Sequence, residues 1–185
     1  MAYITEQRLA ESARKYNQLS RENVVSFSAL AELTIFLAHS HKDQEKVEGI
    51  IYEMGRQGIK IYVDWNDATM PRETSKETAE KIKAKIKELQ IFLVLGTNNA
   101  MKSVWVPWET GVADQCKSND QVFIIPIEDK NGNFYGNEYL QLYQKIELDH
   151  LGNLKIVAPN KNINEGVDFG EHFRKISYLK KLFPL

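Results

Sequence analysis

Thr34-Ile-Phe-Leu-Ala38 is a short apolar run that leads directly into the polar segment His39-Ser-His-Lys-Asp43. Such a run is typical of a strand that is buried on both faces of a sheet. The residues from Gln44 to Gln57 then place apolar side chains at helical spacing. Gly58 follows at the position where a left-handed residue commonly ends a helix. The order predicted from this stretch is strand, loop, helix.

The same unit recurs further along the chain. Ile59-Lys-Ile-Tyr-Val63 predicts a second strand, and the polar, turn-rich segment Asp64 to Glu73 predicts a long loop after it. Thr74-Ser-Lys-Glu77 matches a capping box and predicts the start of the next helix. Ile91-Phe-Leu-Val-Leu95 predicts a third strand. The unit has therefore occurred twice by residue 95.

A further helix and strand complete the pattern. Pro107 suits the first turn of a helix that we expect to run to about Lys117, and Val122-Phe-Ile-Ile-Pro-Ile127 predicts a fourth strand. Apolar strands that alternate with helices favour a parallel sheet covered on both faces, with right-handed crossovers. The sequence therefore predicts an α/β fold, a doubly wound parallel sheet of the flavodoxin-like kind.

Both ends of the chain predict smaller elements. Residues 4–20 form an amphipathic pattern, which predicts an N-terminal helical extension over residues 1–32 ahead of a main domain over residues 33–185. Beyond Glu128 we expect two edge strands and a closing helix over residues 167–182. The predicted edge strands are Lys145–Leu148 and Leu154–Val157.

Composition narrows the class of protein. With 185 residues, of which 43% are hydrophobic, the chain is long enough for one domain with a proper core. The net charge of −1 gives no reason to expect a nucleic-acid partner or an anionic membrane surface. The sequence has no long apolar run and no secretory signal at its start, so we expect neither a membrane span nor export. Cys116 is the only cysteine, which predicts a reducing, cytoplasmic location.

The segment Trp105-Val-Pro-Trp-Glu109 is the strongest candidate for chemistry. Residues four apart on a helix share one face, so Trp105 and Glu109 would present an indole and a carboxylate together. That pair suits the binding of a ribose beside a planar base and the cleavage of an N-glycosidic bond. Packing is the alternative reading, because two tryptophans and a proline could simply fix the helix to the sheet.

Sheet topology favours the functional reading of this segment. In open parallel sheets, ligands bind outside the carboxyl ends of the strands. Four segments should meet there, with Glu109 projecting from the helix that follows the third strand. The four segments are His39–Asp43, Asp64–Glu73, Gly96–Trp105 and Ile127–Phe134.

Several other chemistries lack their motifs. The sequence has no Gly-x-Gly-x-x-Gly, no phosphate-binding Gly-x-x-x-x-Gly-Lys, no Gly-x-Ser-x-Gly and no His-Glu-x-x-His. No metal site is predicted, because His39 and His41 lie two apart without a cysteine or an evident third ligand. Hydrogen bonding to a ligand or to the loop backbone is the expected role of these histidines. Asp64 could serve as a phosphoacceptor, but the additional acids and the lysine that this chemistry requires are not clearly placed. Trp65 is a bulky indole in a polar loop, so it is either a loop anchor or a contact for a base or a partner.

Taken together, these segments resemble the Toll/interleukin-1 receptor (TIR) domains, and in particular stand-alone bacterial members. The resemblance rests on the order and spacing of four pieces and covers residues 34–127 most firmly. The pieces are Ile35-Phe-Leu-Ala-His-Ser-His-Lys-Asp43, Ile61-Tyr-Val-Asp-Trp65, Phe92-Leu-Val-Leu95 and Trp105-Val-Pro-Trp-Glu-Thr-Gly111. The last contains the family's Trp-x-x-x-Glu pattern.

The resemblance implies an enzyme that consumes NAD⁺ as a substrate, needs no further cofactor, and releases nicotinamide with ADP-ribose or a cyclic or modified ADP-ribose. It implies a signalling role in antiphage defence of the Thoeris type, with a downstream effector that senses the product. Glu109 would be the catalytic glutamate and Trp105 its companion in the pocket. The loop Asp64–Glu73 would contribute to the NAD⁺ site and to self-association, and His41 falls where some members carry an arginine that faces the substrate. The full predicted substrate-binding set is Trp105, His39, Ser40, His41, Asp64, Trp65, Asn66 and Asp67.

Two alternatives stay open at this point. One is a non-catalytic TIR adaptor whose loop Asp64–Glu73 binds other TIR domains, although an adaptor has no need for Glu109. The other is an enzyme like the nucleoside deoxyribosyltransferases, which use a similar α/β sheet and a carboxylate nucleophile. Base exchange on deoxynucleosides without action on NAD⁺ would identify the latter.

Overall fold

The computed structural model describes residues 3–21, 33–69, 73, 75–134 and 138–182. The strands are β1 (Ile4–Thr5), β2 (Leu33–Ala38), β3 (Ile59–Tyr62), β4 (Ile91–Gly96), β5 (Val122–Glu128), β6 (Gln144–Leu148), β7 (Leu154–Val157) and β8 (Val167–Asp168). The helices are α1 (Glu6–Arg21), α2 (Gln44–Gly55), α3 (Lys76–Glu88), α4 (Asn98–Met101), α5 (Trp105–Cys116) and α6 (Phe169–Leu182). Within these residues, no helix has both the length and the apolar character that crossing a membrane requires.

The sheet has the strand order β3-β2-β4-β5-β6-β7-β8, and β1 pairs with the end of β5. The strands from β3 to β6 pair in parallel. Because β2 lies between β3 and β4, the chain winds first in one direction along the sheet and then in the other. This is the strand order of a flavodoxin-like domain, and it confirms the fold class predicted from the sequence.

Side chains of the central strands alternate between two apolar layers. In β2, Ile35 and Leu37 face a layer that includes residues of α1, α2 and α6. Phe36 and Ala38 face the opposite layer, with residues of α3, α4 and α5. Burial on both faces explains why β2, β4 and β5 are apolar throughout rather than at every second position.

The predicted edge strands are wrong in one respect, because β6 and β7 lie inside the sheet. β6 pairs in parallel with β5, and β7 pairs on its far side. The two-residue strand β8 then covers β7, so the closing helix begins at Phe169 rather than at residue 167. The order of residues along one strand reports which of its faces meets water and not whether another strand pairs beside it.

The N-terminal segment packs into the fold. β1 extends the sheet beside Ile127, and Leu9 of α1 is fully buried against α2. The two helices approach so closely that a Cβ atom at Gly49 would lie 2.4 Å from the carbonyl oxygen of Leu9, which only a glycine permits. A domain boundary after residue 32 stays a prediction, and residues 22–32 lie outside the described part of the chain.

Local signals set several helix ends. Gly58 has φ +75° and turns the chain from α2 into β3, as predicted. The predicted start of α3 needs a correction: Ser75, not Thr74, is the N-cap, and its side chain accepts a hydrogen bond from the backbone N–H of Thr78. Thr74 itself lies outside the described residues. Pro107 lies in the first turn of α5, as the sequence predicted.

Candidate functional site

The strand order reverses at β2, so the loops that follow β2 and β4 separate and leave a crevice at the carboxyl edge of the sheet. The loops after β2 and β3 each contain a short helical turn. His41–Asp43 forms a 3-10 turn after β2, and Asp64–Asn66 forms another after β3. The predicted meeting of the first two loops is confirmed by the contacts between them.

His39, His41 and Asp64 come together at this edge. The distance from His39 Nε2 to Asp64 Oδ1 is 3.7 Å, and that from His41 Nε2 to Asp64 Oδ2 is 3.3 Å. One ligand atom from each residue lies within 4.8 Å of the other two. The sequence offered no evident third ligand for the two histidines, and the structure places Asp64, 23 positions after His41, beside both of them.

A hydrogen bond and an aromatic contact fix the imidazole of His39. Its Nδ1 lies 2.8 Å from the carbonyl oxygen of Leu37, and the ring of Trp65 stands edge-on to it with a centroid distance of 4.4 Å. Burial lowers the pKa of His39 below its ordinary value, although the Leu37 carbonyl and Asp64 oppose the shift. The ring is therefore predominantly neutral at pH 7, and the proton lies on Nδ1 because the carbonyl can only accept.

Asp64 and Trp65 are fixed by their own backbone. The backbone N–H of Trp65 donates to Asp64 Oδ1 over 2.9 Å, which orients the carboxylate toward the histidines. The Trp65 side chain keeps 37% of its surface exposed while it contacts His39. It is thus a loop anchor with an accessible aromatic surface, and its contact with a base or a partner stays a prediction.

Glu109 occupies the inward face of α5. The buried positions of this helix follow the helical period and include Val106, Glu109, Thr110 and Ala113, so a carboxyl group lies among core residues. Only 6% of Glu109 is exposed. Burial raises the pKa of its carboxyl well above the ordinary value, and the charge of Asp64 raises it further. A perturbed carboxyl group beside a polar cluster is the kind of feature that active sites share.

Trp105 and Trp108 pack together at the start of α5. Their ring centroids are 5.2 Å apart in an edge-to-face arrangement, and both rings lie against the apolar layer beneath α3 and α5. The ammonium of Lys83 lies 5.8 Å from the Trp108 ring centroid. The different roles predicted for the two indoles, pocket and packing, stay a prediction.

Ser40 and Asp67 shape the loops that carry the cluster. Ser40 caps the 3-10 turn after β2. Asp67 accepts hydrogen bonds from the Tyr62 hydroxyl at 2.8 Å and from the backbone and hydroxyl of Thr69. These Thr69 bonds, followed by the Tyr62 bond, lower the pKa of Asp67. Both residues therefore have structural partners in addition to the substrate-binding role that was predicted.

Asn66 and Asp67 also line a groove of about 510 Å³ on the side of α1 and the outer strand β3. Tyr16 and Ile51 also line it. The groove is open and mainly apolar, whereas the polar cluster around Asp64 carries the groups that could act on a substrate. Volume alone therefore does not locate the chemistry, and we place the candidate site at the cluster.

A second polar network at the same edge was missed by the sequence reasoning. Asp43 is fully buried and accepts hydrogen bonds from the Thr97 hydroxyl at 2.5 Å and from the Asn99 amide at 2.8 Å. Lys46 pairs with it at 3.1 Å. These residues border a cavity of about 190 Å³ that residues 129–131 also line, so the loops after β2, β4 and β5 meet there. The sequence did carry a signal for this network, because Thr97 and Asn99 directly follow β4, and β4 pairs with β2.

The fold and this edge define the class of protein. Residues 35–154 match the family model of the TIR domain, which covers more than half of the chain. The chain therefore belongs to the TIR domain family, as the sequence resemblance indicated.

Two relatives are similar over parts of the chain. A protein of Bacillus cereus (strain MSX-D12) named "Probable 3' cyclic ADP-D-ribose synthase ThsB'" is 34% identical over 116 residues, which is 60% of this chain and 59% of that protein. A protein of Cytobacillus dafuensis named "Putative cyclic ADP-D-ribose synthase TIR2" is 31% identical over 78 residues, which is 40% of this chain and 21% of that protein. The chain thus aligns with less than two thirds of the length of either relative.

Proposed function

We propose that this protein cleaves the bond between nicotinamide and ribose in NAD⁺ and leaves ADP-ribose or a cyclic or modified form of it. The observation that carries the proposal is the buried carboxyl group of Glu109 at the carboxyl edge of a TIR domain. The names of both relatives, which describe cyclic ADP-D-ribose synthases, support a product of this class.

The reaction needs one carboxylate. Loss of nicotinamide leaves positive charge on the ribose, and a nearby carboxylate stabilises an oxocarbenium-like transition state. The ring nitrogen of the nicotinamide is already cationic in NAD⁺, so the leaving group departs neutral without a proton from the enzyme. This distinguishes the reaction from ordinary glycoside hydrolysis, which needs a second carboxyl group as an acid.

The burial of Glu109 suits it to this task. A charge acts more strongly where water is excluded, because the local dielectric constant is low. In the absence of substrate, burial and Asp64 raise the pKa of Glu109 and favour its neutral form. Entry of a cationic nicotinamide ring would reverse that balance, because an opposite charge nearby favours the ionised carboxylate. The substrate would thus generate the catalytic form of the residue that acts on it.

The remaining predicted site residues would bind and orient the substrate. We propose that His39, His41 and Asp64 contact the polar part of NAD⁺ and that Trp65 stacks against one of its planar groups. Trp105 would form the wall beside Glu109. Ser40, Asn66 and Asp67 would complete the binding loops.

The product depends on the nucleophile that reaches the ribose. Attack by water gives ADP-ribose and a proton, and attack by a hydroxyl group elsewhere in the same molecule gives a cyclic ADP-ribose and a proton. Loop Asp64–Glu73 would also mediate self-association, and the product would act as a signal for a downstream effector in antiphage defence. The family resemblance supports this extension.

The test is nicotinamide release by purified protein, measured by liquid chromatography at high protein concentration to favour assembly. Glu109→Gln should slow the release by about 10²- to 10³-fold, the usual cost of losing one electrostatic stabiliser. Glu77→Gln is the matched control, because its side chain is 69% exposed on α3 and the same chemical change there should leave the rate unaltered. Mass spectrometry of the product separates ADP-ribose from a cyclic form, which is lighter by one water.

Equal nicotinamide release by the wild type and Glu109→Gln would reject the proposal. Partner capture that depends on Trp65 and survives Glu109→Gln would then identify the adaptor. Base exchange on deoxynucleosides without nicotinamide release would identify the deoxyribosyltransferase alternative.

A further inference from the structure

The cluster of His39, His41 and Asp64 contains a buried nitrogen that nothing in the described residues satisfies. His39 Nε2 is buried and has no hydrogen-bond partner there. The ring cannot turn to use its other nitrogen, because Nδ1 is already 2.8 Å from the Leu37 carbonyl oxygen. Since that oxygen only accepts, Nδ1 carries the proton and the neutral ring directs a lone pair from Nε2.

A second electron-rich atom lies near this lone pair. Asp64 Oδ1 lies 3.7 Å from His39 Nε2, and two acceptors at that distance cannot bond to each other. His41 Nε2 approaches the other carboxylate oxygen at 3.3 Å. A cation placed among the three groups would satisfy His39 Nε2 and would replace the hydrogen bond that His41 Nε2 makes with the carboxylate.

The donor set and its spacing fit a transition-metal ion. Two imidazole nitrogens and one carboxylate are typical ligands of Zn²⁺ and similar divalent ions. With metal–ligand bonds of about 2.0–2.1 Å, tetrahedral ligands lie about 3.4 Å apart. The separations of 3.3 and 3.7 Å are close to that value but end on different oxygens of Asp64. One ligand atom from each residue lies within 4.8 Å of the other two, so the three groups must draw together to bind one ion. The exposed side chain of His41, with 72% of its surface accessible, can make that adjustment.

The surroundings hold the ligands as the outer shell of a metal site does. A histidine ligand commonly donates its second ring N–H to a carbonyl, as His39 does to Leu37. The Asp64 carboxylate is oriented by the backbone N–H of Trp65, and the indole of the same residue covers one side of the His39 ring. These contacts fix the two less exposed ligands before any ion arrives.

We propose that His39, His41 and Asp64 bind one divalent transition-metal ion of the Zn²⁺ class, with at least one coordination position left open. The two histidines come from the loop after β2 and the aspartate from the loop after β3, so the ion would join both loops. The proposal concerns binding alone and does not depend on the cleavage of NAD⁺.

The test uses tag-free protein that has been stripped with a chelator and dialysed. Co²⁺ is added as a spectroscopic substitute and followed by visible absorption, and Zn²⁺ binding is measured by titration calorimetry. The wild type should bind one equivalent of each ion, with Co²⁺ bands typical of four or five ligands. Asp64→Asn and His41→Asn should each weaken binding by at least the roughly 10- to 100-fold that loss of an outer-shell partner costs.

His150→Asn is the matched control, because His150 is an exposed histidine in the β6–β7 turn, and this variant should bind as the wild type does. His41→Asn guards against misfolding, since its side chain is mostly exposed, and circular dichroism checks each variant. Zn²⁺ should raise the Tm of the wild type and of His150→Asn but not that of Asp64→Asn. Absence of stoichiometric binding, or binding that survives both Asp64→Asn and His41→Asn, would overturn the proposal.

Discussion

Asp43 and Glu109 are two buried acids at the same edge of the sheet, and their surroundings differ. The Asp43 carboxylate receives hydrogen bonds from Thr97 and Asn99 and pairs with Lys46. Glu109 lies on the core face of α5, where burial and the charge of Asp64 raise its pKa well above the ordinary value. Burial alone therefore does not distinguish a structural acid from a candidate catalytic one.

The difference lies in how each charge is compensated. A buried carboxylate with donors and a cation around it stabilises the arrangement of its loops, because removing it would leave those groups unpaired. A buried carboxyl group without such compensation disfavours its own ionised form and is ready for a cationic ligand. We therefore assign Asp43 to the support of the site, and Glu109 to its proposed chemistry.

The largest expected effect is on stability at Asp43. Asp43→Ala leaves the Thr97 hydroxyl, the Asn99 amide and Lys46 without their shared acceptor, so the free energy of unfolding should fall by about 3 kcal/mol. Urea denaturation measures this change in the free energy of unfolding. Glu45→Ala, at an exposed acid in the first turn of α2, is the control and should cost less than about 1 kcal/mol. A similar small loss for both variants would remove the contrast between Asp43 and Glu109.

The next effect is on activity at Glu109. Glu109→Asp keeps the carboxyl group but shortens its reach by one methylene, and a misplacement of about 1 Å typically costs about 10²-fold in rate. Nicotinamide release should fall by that factor while urea denaturation shows a folded protein. Wild-type rates in this variant would show that the position of the carboxyl group is unimportant and that the proposed role of Glu109 is wrong.

A smaller loss is expected when one donor to Asp43 is removed. Thr97→Val deletes a buried hydroxyl that donates to Asp43 and accepts from the backbone N–H of Ala100 at 3.0 Å, so stability should fall by about 1–2 kcal/mol. Thr97→Ser keeps the hydroxyl and should recover most of the loss. If both substitutions destabilise equally, the methyl group rather than the hydrogen bond carries the effect.

The smallest expected effect is a pH dependence of stability that arises from Glu109. Because folding raises the pKa of this carboxyl, its contribution to stability is fully present below the unfolded value of about 4.5 and is lost as the pH rises through the folded value. Glu109→Gln cannot titrate at this position. The variant should therefore gain stability relative to the wild type as the pH rises above about 4.5. Denaturation with a chelator present at several pH values measures the difference, and a difference that shrinks with rising pH would contradict the raised pKa.

The sequence by itself determined the order of strands and helices, the doubly wound fold and the edge at which a site should lie. Apolar periodicity records which faces of an element are covered, and parallel topology brings the carboxyl ends of β2 and β4 together. The N-cap of α3 was misplaced by one residue, because neighbouring Thr74 and Ser75 offer similar capping groups.

Only the tertiary structure decided which polar groups meet. Asp64 completes the pair His39 and His41 from a different loop, and Thr97 reaches Asp43 across 54 positions. It also placed β6 and β7 inside the sheet and set the burial of Glu109. The physical reason is that polar contacts between loops depend on distance and direction in space, which leave no periodic trace along the chain.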